Sequence, residues 1–294
     1  MTRPPLRAAA VLDRFGAQRV LAGALEEAFA SRSIELELLS HRALVAGVSI
    51  VQDGRERPRV EPDRPLLWLS AADPSPDLTP DDRFLHSEVV AASRSIAMLS
   101  RSPVVNRPTP LSPCGRFPGS AVMGVRRVAG LPGLDVAVRC ERFTAMQVGE
   151  VAGADEGPVA SGAEVYDYAT GRSAYGVADR VPGPVRTRRS LPSARLVRVR
   201  VAGRGVLAPG SVPRWFETAS LDVARSYELQ LATVWWLVDE AGRGTLARVD
   251  CWTWDRSLDG DAHLIADALA VWLLDEARAP DPGLPGLDAE VAVP

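Results

Sequence analysis

The stretch that most restricts what this chain can fold into runs from Thr233 to Leu274. Thr233–Val238 reads as a strand, Asp239–Gly244 supplies turn residues, and Thr245–Asp250 reads as a returning strand. After a short loop, His263–Leu274 repeats apolar residues at helical spacing. A strand pair leading into a helix predicts a mixed α/β lobe at this end of the chain. Side chains alternate along a strand, so Trp235 and Trp236 must point to opposite faces. One is expected in the core and the other towards a cleft.

Composition narrows the function classes. Every one of the 34 basic residues is arginine, and the chain contains no lysine. Codon bias is the plain origin, but the chemical consequence holds whatever the cause. No lysine amine is present to form a Schiff base, act as base or nucleophile, or fill a Walker motif. Arginine stays protonated and binds phosphate, yet does not move protons at neutral pH. Net charge is −3, which lacks the basic excess of a nucleic-acid binder. The longest apolar runs fall well short of the roughly 20 residues of a membrane span. No signal-peptide pattern is legible near Arg3 and Arg7. Cys114, Cys140 and Cys251 are widely separated and suggest neither a disulfide framework nor a zinc site. A cytoplasmic location is the expectation.

The first hundred residues alternate between strand-like and helix-like patterns. Arg19–Ser31 fits a helix with Val20, Leu21, Ala24, Leu25, Ala28 and Phe29 on one face, and Ile34–Leu39 and Leu66–Leu69 read as strands. Asp53–Pro65 is expected as a charged turn and Asp73–Asp82 as a loop. Phe84–Leu99 predicts a helix with Leu85, Val89, Ala92, Ile96 and Leu99 towards the core. Pro103–Pro108 is a short strand stopped by proline. Such alternation implies a parallel sheet.

Beyond Pro108 the prolines and glycines suggest loops, apart from a possible strand at Val136–Cys140. Residues 149–163 are expected as a surface loop, and the Arg186–Arg189 run as a solvated turn. The span from Arg186 to Ala208 reads as one or two strands, within which Leu196–Val201 alternates cleanly, with a hairpin turn at Gly203–Gly205. Ser220 or Asp222 could cap a helix running to Leu231. The expected organisation is an N-terminal α/β lobe at 1–108, a loop-rich middle lobe at 109–190, a C-terminal lobe at 191–280 and a flexible tail at 281–294.

These elements resemble an ATP-grasp protein of the branch that ligates peptides or amino acids. The likeness rests on the Phe84-Leu-His-Ser-Glu88 helix, the strand end Val104-Val-Asn106-Arg-Pro108, the Arg195–Pro209 strand pair, and the cassette from Thr233. It implies an ATP-grasp-like fold, with an N-terminal α/β lobe and two smaller α+β lobes enclosing a cleft. In that family, magnesium is held by an acidic residue on the first cassette strand and a Glu-x-Asn pair on the second. Strand-to-strand matching puts Trp235, Arg248 and Asp250 at those positions. Magnesium takes hard oxygen ligands, so Asp250 is the one metal ligand the match offers. Asp255 and Asp259 are possible substitutes. The family holds ATP phosphates with lysines, for which Arg139, Arg198 or Arg200 could partly stand in through forked hydrogen bonds. A one-residue slip in register would exchange the two strand faces and move Arg248 and Asp250 away from these positions.

The expectation is therefore an ATP-grasp-like protein that lacks classical ligase activity. It would bind a peptide, a small molecule or a partner enzyme of a biosynthetic pathway in a cleft bearing Arg139, Arg198, Arg200, Trp235, Arg248 and Asp250. The alternative is an active ATP-dependent carboxylate–amine or peptide ligase with non-standard ligands, and only that reading requires ATP and magnesium. The remaining tryptophans of this region (Trp252, Trp254, Trp272) are expected in packing or along an aromatic groove. His41, His86 and His263 show no ligand spacing. Cys114 lacks an identifiable base, and Gly115–Gly119 is a weak candidate for a phosphate loop.

Overall fold

Alanine fills the central strand of the first sheet. β1 (Leu6–Val11) lies between β2 (Ile34–Leu39) and β5 (Leu66–Trp68), and β6 (Val104–Val105) follows β5, with every pairing parallel. The computed structural model describes residues 5–12, 16, 18–54, 57–69, 78–109, 135–136, 141–144, 164–167, 172–175, 185–188, 195–208, 212–251 and 256–279. Both faces of this sheet are covered, as in other parallel sheets. Ala9, Val11, Leu66, Trp68 and Val104 enter one core cluster together with Leu44 of α2 (His41–Ala46) and Ile96 and Ala97 of α3 (Pro80–Leu99). Ala8, Ala10, Leu67 and Val105 enter the other with α1 (Arg19–Ala30), on the face that also receives the last helix.

The expected helices and strands of this half are present, with additions. Helix α2 and β3 (Ser49–Val51) lie where the sequence suggests no particular element, and β4 (Arg59–Glu61), which pairs with β3, lies inside the expected charged turn. Ser40 caps α2, its hydroxyl accepting from the Ala43 N–H. Helix α3 begins earlier than its apolar pattern, because Thr79 caps it and Pro80 opens it. Val20 and Leu85 are exposed rather than buried. His41 is structural: its Nδ1 shares the buried Ser93 hydroxyl at 2.8 Å, to which Trp68 Nε1 also donates at 3.2 Å.

Four short strands, β8 (Glu141–Thr144), β9 (Glu164–Asp167), β10 (Arg172–Tyr175) and β11 (Val185–Arg188), form an antiparallel sheet in the order β10-β9-β11-β8. Residues 186–188 are a strand rather than a turn, and most of 109–190 lies outside the described residues. The expected loop at 149–163 and the tail at 281–294 lie outside the described residues.

The third sheet has the order β13-β12-β14-β15-β7, built from β7 (Asp135–Val136), β12 (Arg195–Ala202), β13 (Gly205–Leu207), β14 (Leu231–Val238) and β15 (Gly244–Asp250). The expected turn between β12 and β13 holds Gly203 at φ +57. A Cβ there would meet the Ala268 carbonyl at 2.7 Å, so glycine satisfies both the backbone angle and the close approach to the last helix, α5 (Ala262–Arg278). Helix α4 (Arg214–Ser226) starts six residues before Ser220 and ends before Leu231, which belongs to β14. Helix α5 packs against α1 through the second apolar cluster, with Arg32, just past the end of α1, paired with Asp267 at 2.8 Å. Among the described residues, no helix is long and apolar enough to cross a membrane.

One residue ties the first sheet to the third. Asn106 follows β6 at φ +55, a backbone region that Asn tolerates better than most residues, and its side chain is fully buried. Its Nδ2 donates to the carbonyls of Leu231 (2.8 Å) and Cys251 (3.0 Å), and its Oδ1 accepts from the N–H groups of Gln230 (3.1 Å) and Leu231 (2.9 Å). Its own N–H donates to Gln230 Oε1 at 2.8 Å. Beside it, the Arg107 guanidinium donates to the carbonyls of Ala97, Ser100 and Ser102 and so closes the end of α3. Burial pulls the pKa of Arg107 below the ordinary arginine value, while the charges of Asp63 and Glu228 draw it back up.

Asn106→Gly keeps the backbone angle and removes the side-chain bonds. It is expected to lower unfolding stability by about 2–4 kcal/mol, since several buried groups lose partners. Urea unfolding measures this, and a loss below about 0.5 kcal/mol would mean that the four side-chain bonds carry no stability.

Candidate functional site

Strand β12 alternates valine with arginine. Val197, Val199 and Val201 are buried in the core cluster that includes Phe216, Val223 and Ala224 of α4. Arg198 and Arg200 therefore occupy the opposite face. In the ladder, Arg198 pairs with Trp235 and Arg200 with Thr233 of β14, and these in turn pair with Arg248 and Asp250 of β15. Two rows result: Arg198, Trp235, Arg248 and, beside it, Arg200, Thr233, Asp250.

The register of β15 depends on one extra residue. Trp235 pairs with Arg248 while Trp236 pairs with Leu246, which leaves Ala247 as a β-bulge. Leu246 is buried, Val249 packs against the same cluster, and Cys251 is buried in it. A regular strand cannot place residues 246 and 249 on one face, because side chains alternate. The bulge removes that conflict and keeps positions 248 and 250 in register with Trp235 and Thr233.

Side-chain contacts organise both rows. Trp235 Nε1 donates to Asp250 Oδ2 at 2.7 Å, a charge-assisted bond between two half-buried groups. Arg200, with 4% of its surface exposed, donates through Nη2 to Thr233 Oγ1 at 3.0 Å. Arg198 is half-buried. Trp236 lies on the opposite face as alternation requires: it is fully buried, donates to Ser220 Oγ at 2.9 Å, and meets Phe216 edge-on with centroids 5.5 Å apart. Trp215 of α4, which sequence reasoning did not single out, stacks on Phe216 at 3.7 Å. Its place next to Phe216 at a helix start preceded by Pro213 was the available signal. Gly244 passes beneath these rings, where a Cβ would overlap Phe216.

Not every expected residue is brought to this face. Arg139, Cys114, Gly115–Gly119, Asp255, Trp252 and Trp254 lie outside the described residues. Asp259 sits in a 3-10 turn at Arg256–Asp261, ahead of α5. Trp272 is a half-buried residue of α5, with its Cβ against the Gly203 turn. His263 pairs with Glu27 at 3.5 Å on the exposed seam between α5 and α1.

Solved structures place the architecture. ATP-grasp ligase PsnB, complexed with a phosphomimetic variant of its minimal precursor, Mg and ADP, matches with a TM-score of 0.61 at 14% identity, over 95% of this chain and 100% of that one. Macrocyclase MdnC from Microcystis aeruginosa, bound with precursor peptide MdnA, matches at 0.60 and 12% identity, over 92% and 99%. A RimK domain ATP-grasp protein from Sphaerobacter thermophilus matches at 0.57 and 18% identity, over 91% and 99%. No protein-family model matches the sequence, and no curated protein matches it either. The chain has the ATP-grasp fold, and its mixture of parallel and antiparallel sheets is the architecture expected from the sequence.

The sequence resemblance implies a Mg·ATP site, and the donor chemistry at the positions it assigns does not fit one. Magnesium demands an octahedron of oxygens, with carboxylates and phosphates among them. Of positions 235, 248 and 250, only Asp250 carries a carboxylate, and one of its oxygens holds the Trp235 indole. Among the described residues, no group of three or more His, Cys, Asp or Glu converges as a metal site.

A structural role for Asp250 makes a prediction. Asp250→Ala strands the indole N–H and is expected to cost about 1–2 kcal/mol of stability, whereas Asp250→Asn keeps an acceptor oxygen and is expected to cost under about 0.5 kcal/mol. Thermal and urea unfolding with and without magnesium check this. Magnesium is expected to leave the midpoint of all three proteins unchanged.

Proposed function

We propose that this protein is a binding member of a peptide-modifying biosynthetic pathway, built on the ATP-grasp fold without its classical ligation chemistry. Its ligand is a peptide, a small molecule or a partner enzyme, held in the cleft of the fold against the Arg198–Trp235–Arg248 row. One observation carries the reading: an indole and a guanidinium residue stand where the resemblance places metal ligands, and the remaining carboxylate is engaged by that indole. Phosphoryl transfer in this fold depends on metal and cation stabilisation of spreading negative charge. Loss of a single preorganised donor commonly costs about 2.7–4 kcal/mol in such sites, and here two positions depart together.

The matched structures support the peptide part, since PsnB and MdnC are each complexed with a precursor. The Arg198 and Arg200 positions add fixed positive charge that no pH near neutrality removes. The expected domain arrangement, with the cleft between a middle lobe at 109–190 and a C-terminal lobe at 191–280, is part of this proposal.

Calorimetric titration with ATP, with and without magnesium, tests it. The expected outcome is no saturable magnesium-dependent heat up to about 1 mM ATP, the range of a binding free energy near −4 kcal/mol. Titration with precursor peptides of the kind bound in the matched structures is expected to give saturable binding. Tight magnesium-dependent ATP binding that disappears in Asp250→Ala would instead assign an active carboxylate–amine or peptide ligase with non-standard ligands.

A further inference from the structure

The two rows on the shared face of β12, β14 and β15 carry arginine at positions 198, 200 and 248 and a carboxylate at position 250 alone. The whole chain has a net charge of −3, so this face runs against the charge of the molecule. Arg198 on β12 and Arg248 on β15 stand on either side of Trp235. Neighbouring strands lie about 4.8 Å apart, which sets the two arginine positions roughly 10 Å apart across β14. An arginine side chain is long enough to span half of that gap. Arg200 lies in the next row, 4% exposed and bonded to Thr233 at 3.0 Å. A charge held so far from solvent is screened less than a surface charge and adds to the positive field of the face. The Asp250 carboxylate has one oxygen engaged by the Trp235 N–H at 2.7 Å.

We infer, on the binding function proposed for this cleft, that these fixed cations take the electrostatic part a divalent ion would play: the face holds a phosphate-bearing ligand without metal, and magnesium opposes the binding. The oxygens that magnesium needs are missing at positions 235 and 248. What stands at 248, and across the row at 198, is itself positive. A guanidinium supplies a permanent charge and a planar fork of N–H donors matched to phosphate oxygens. Two forks meeting one group from opposite strands need more acceptors than the two oxygens of a carboxylate, and a phosphoryl group offers three.

The effect of magnesium follows from the same charges. The ion binds phosphate oxygens in preference to a site poor in carboxylates, so it competes with the arginines for the acceptors they use. Once on the ligand, it brings positive charge up to a face that is already positive. Where several carboxylates hold the ion, it draws a phosphate in; here the sign is reversed.

Calorimetric titration of the full chain with inorganic tripolyphosphate, a probe without base or sugar, tests the inference. With EDTA present, saturable binding is expected with a Kd below about 1 mM. Magnesium in excess over the probe is expected to weaken it at least about tenfold through like-charge juxtaposition. Citrate, which offers carboxylates in place of phosphoryl groups, is expected to bind at least about tenfold more weakly in EDTA. Arg198→Gln and Arg248→Gln, each alone, are expected to weaken tripolyphosphate binding at least about tenfold. Asp250→Asn keeps an acceptor for the indole, removes the negative charge and is expected to tighten binding about threefold. Arg243→Gln, in the exposed turn before β15, controls for general surface charge and is expected to stay within about twofold of the parent. Matched circular dichroism melts verify that each variant is folded. Absence of binding in EDTA overturns the inference and leaves the binding function of the cleft standing, whereas binding that magnesium strengthens overturns both. Binding indifferent to magnesium, equal affinity for citrate, parental affinity in either of the 198 and 248 variants, or weaker binding by Asp250→Asn also overturns the inference.

Discussion

The buried Asn106 amide is the connection on which this architecture depends. The first and third sheets are separate hydrogen-bonded ladders, so the backbone groups left where β6 stops and β14 begins need other partners. Asn106 offers two donors and two acceptor lone pairs on one short side chain, and all four find backbone partners in segments 124–145 residues away in sequence. Two apolar clusters run past it from the first sheet into the third. The position of Asp250 follows, because the carbonyl that accepts from Asn106 belongs to the next residue, Cys251.

Much of the outer plan was legible in the sequence where one period held for a whole element. The valines of β12, the apolar run of β14 and the periodicity of α5 each state their structure directly. Legibility failed where signals were short or competed. The four strands of the middle sheet are four residues each, too short for alternation to stand out among arginines and acids. Helix α4 begins at Arg214 because Pro213 and the Trp215–Phe216 pair set its start, and these outweigh the better capping chemistry of Ser220. At Leu85 the helical pattern was real but the core had ended, since periodicity describes the helix and not the presence of something to pack against it.

The strand faces around the candidate site were legible in the sequence, and the side-chain contacts were not. Alternation alone assigned Trp235 and Trp236 to opposite faces, and the ladder pairs Trp235 with both Arg198 and Arg248. No sequence rule pairs the Trp235 indole with Asp250, because that bond runs diagonally between strands. The bulge had left a trace: Leu246, Val249 and Cys251 are apolar at spacings of three and then two, a rhythm that a regular strand cannot bury on one side.

That trace has a wider meaning. Because Ala247 absorbs one step of the pleat, the two ends of β15 answer to different demands. The beginning is tuned by the aromatic layer beneath it, while the end is free to change its chemistry without disturbing that layer. A fold with such a phase shift beside its candidate site can lose or acquire chemical groups there and keep its interior intact, which makes functional drift structurally inexpensive at this edge of the molecule.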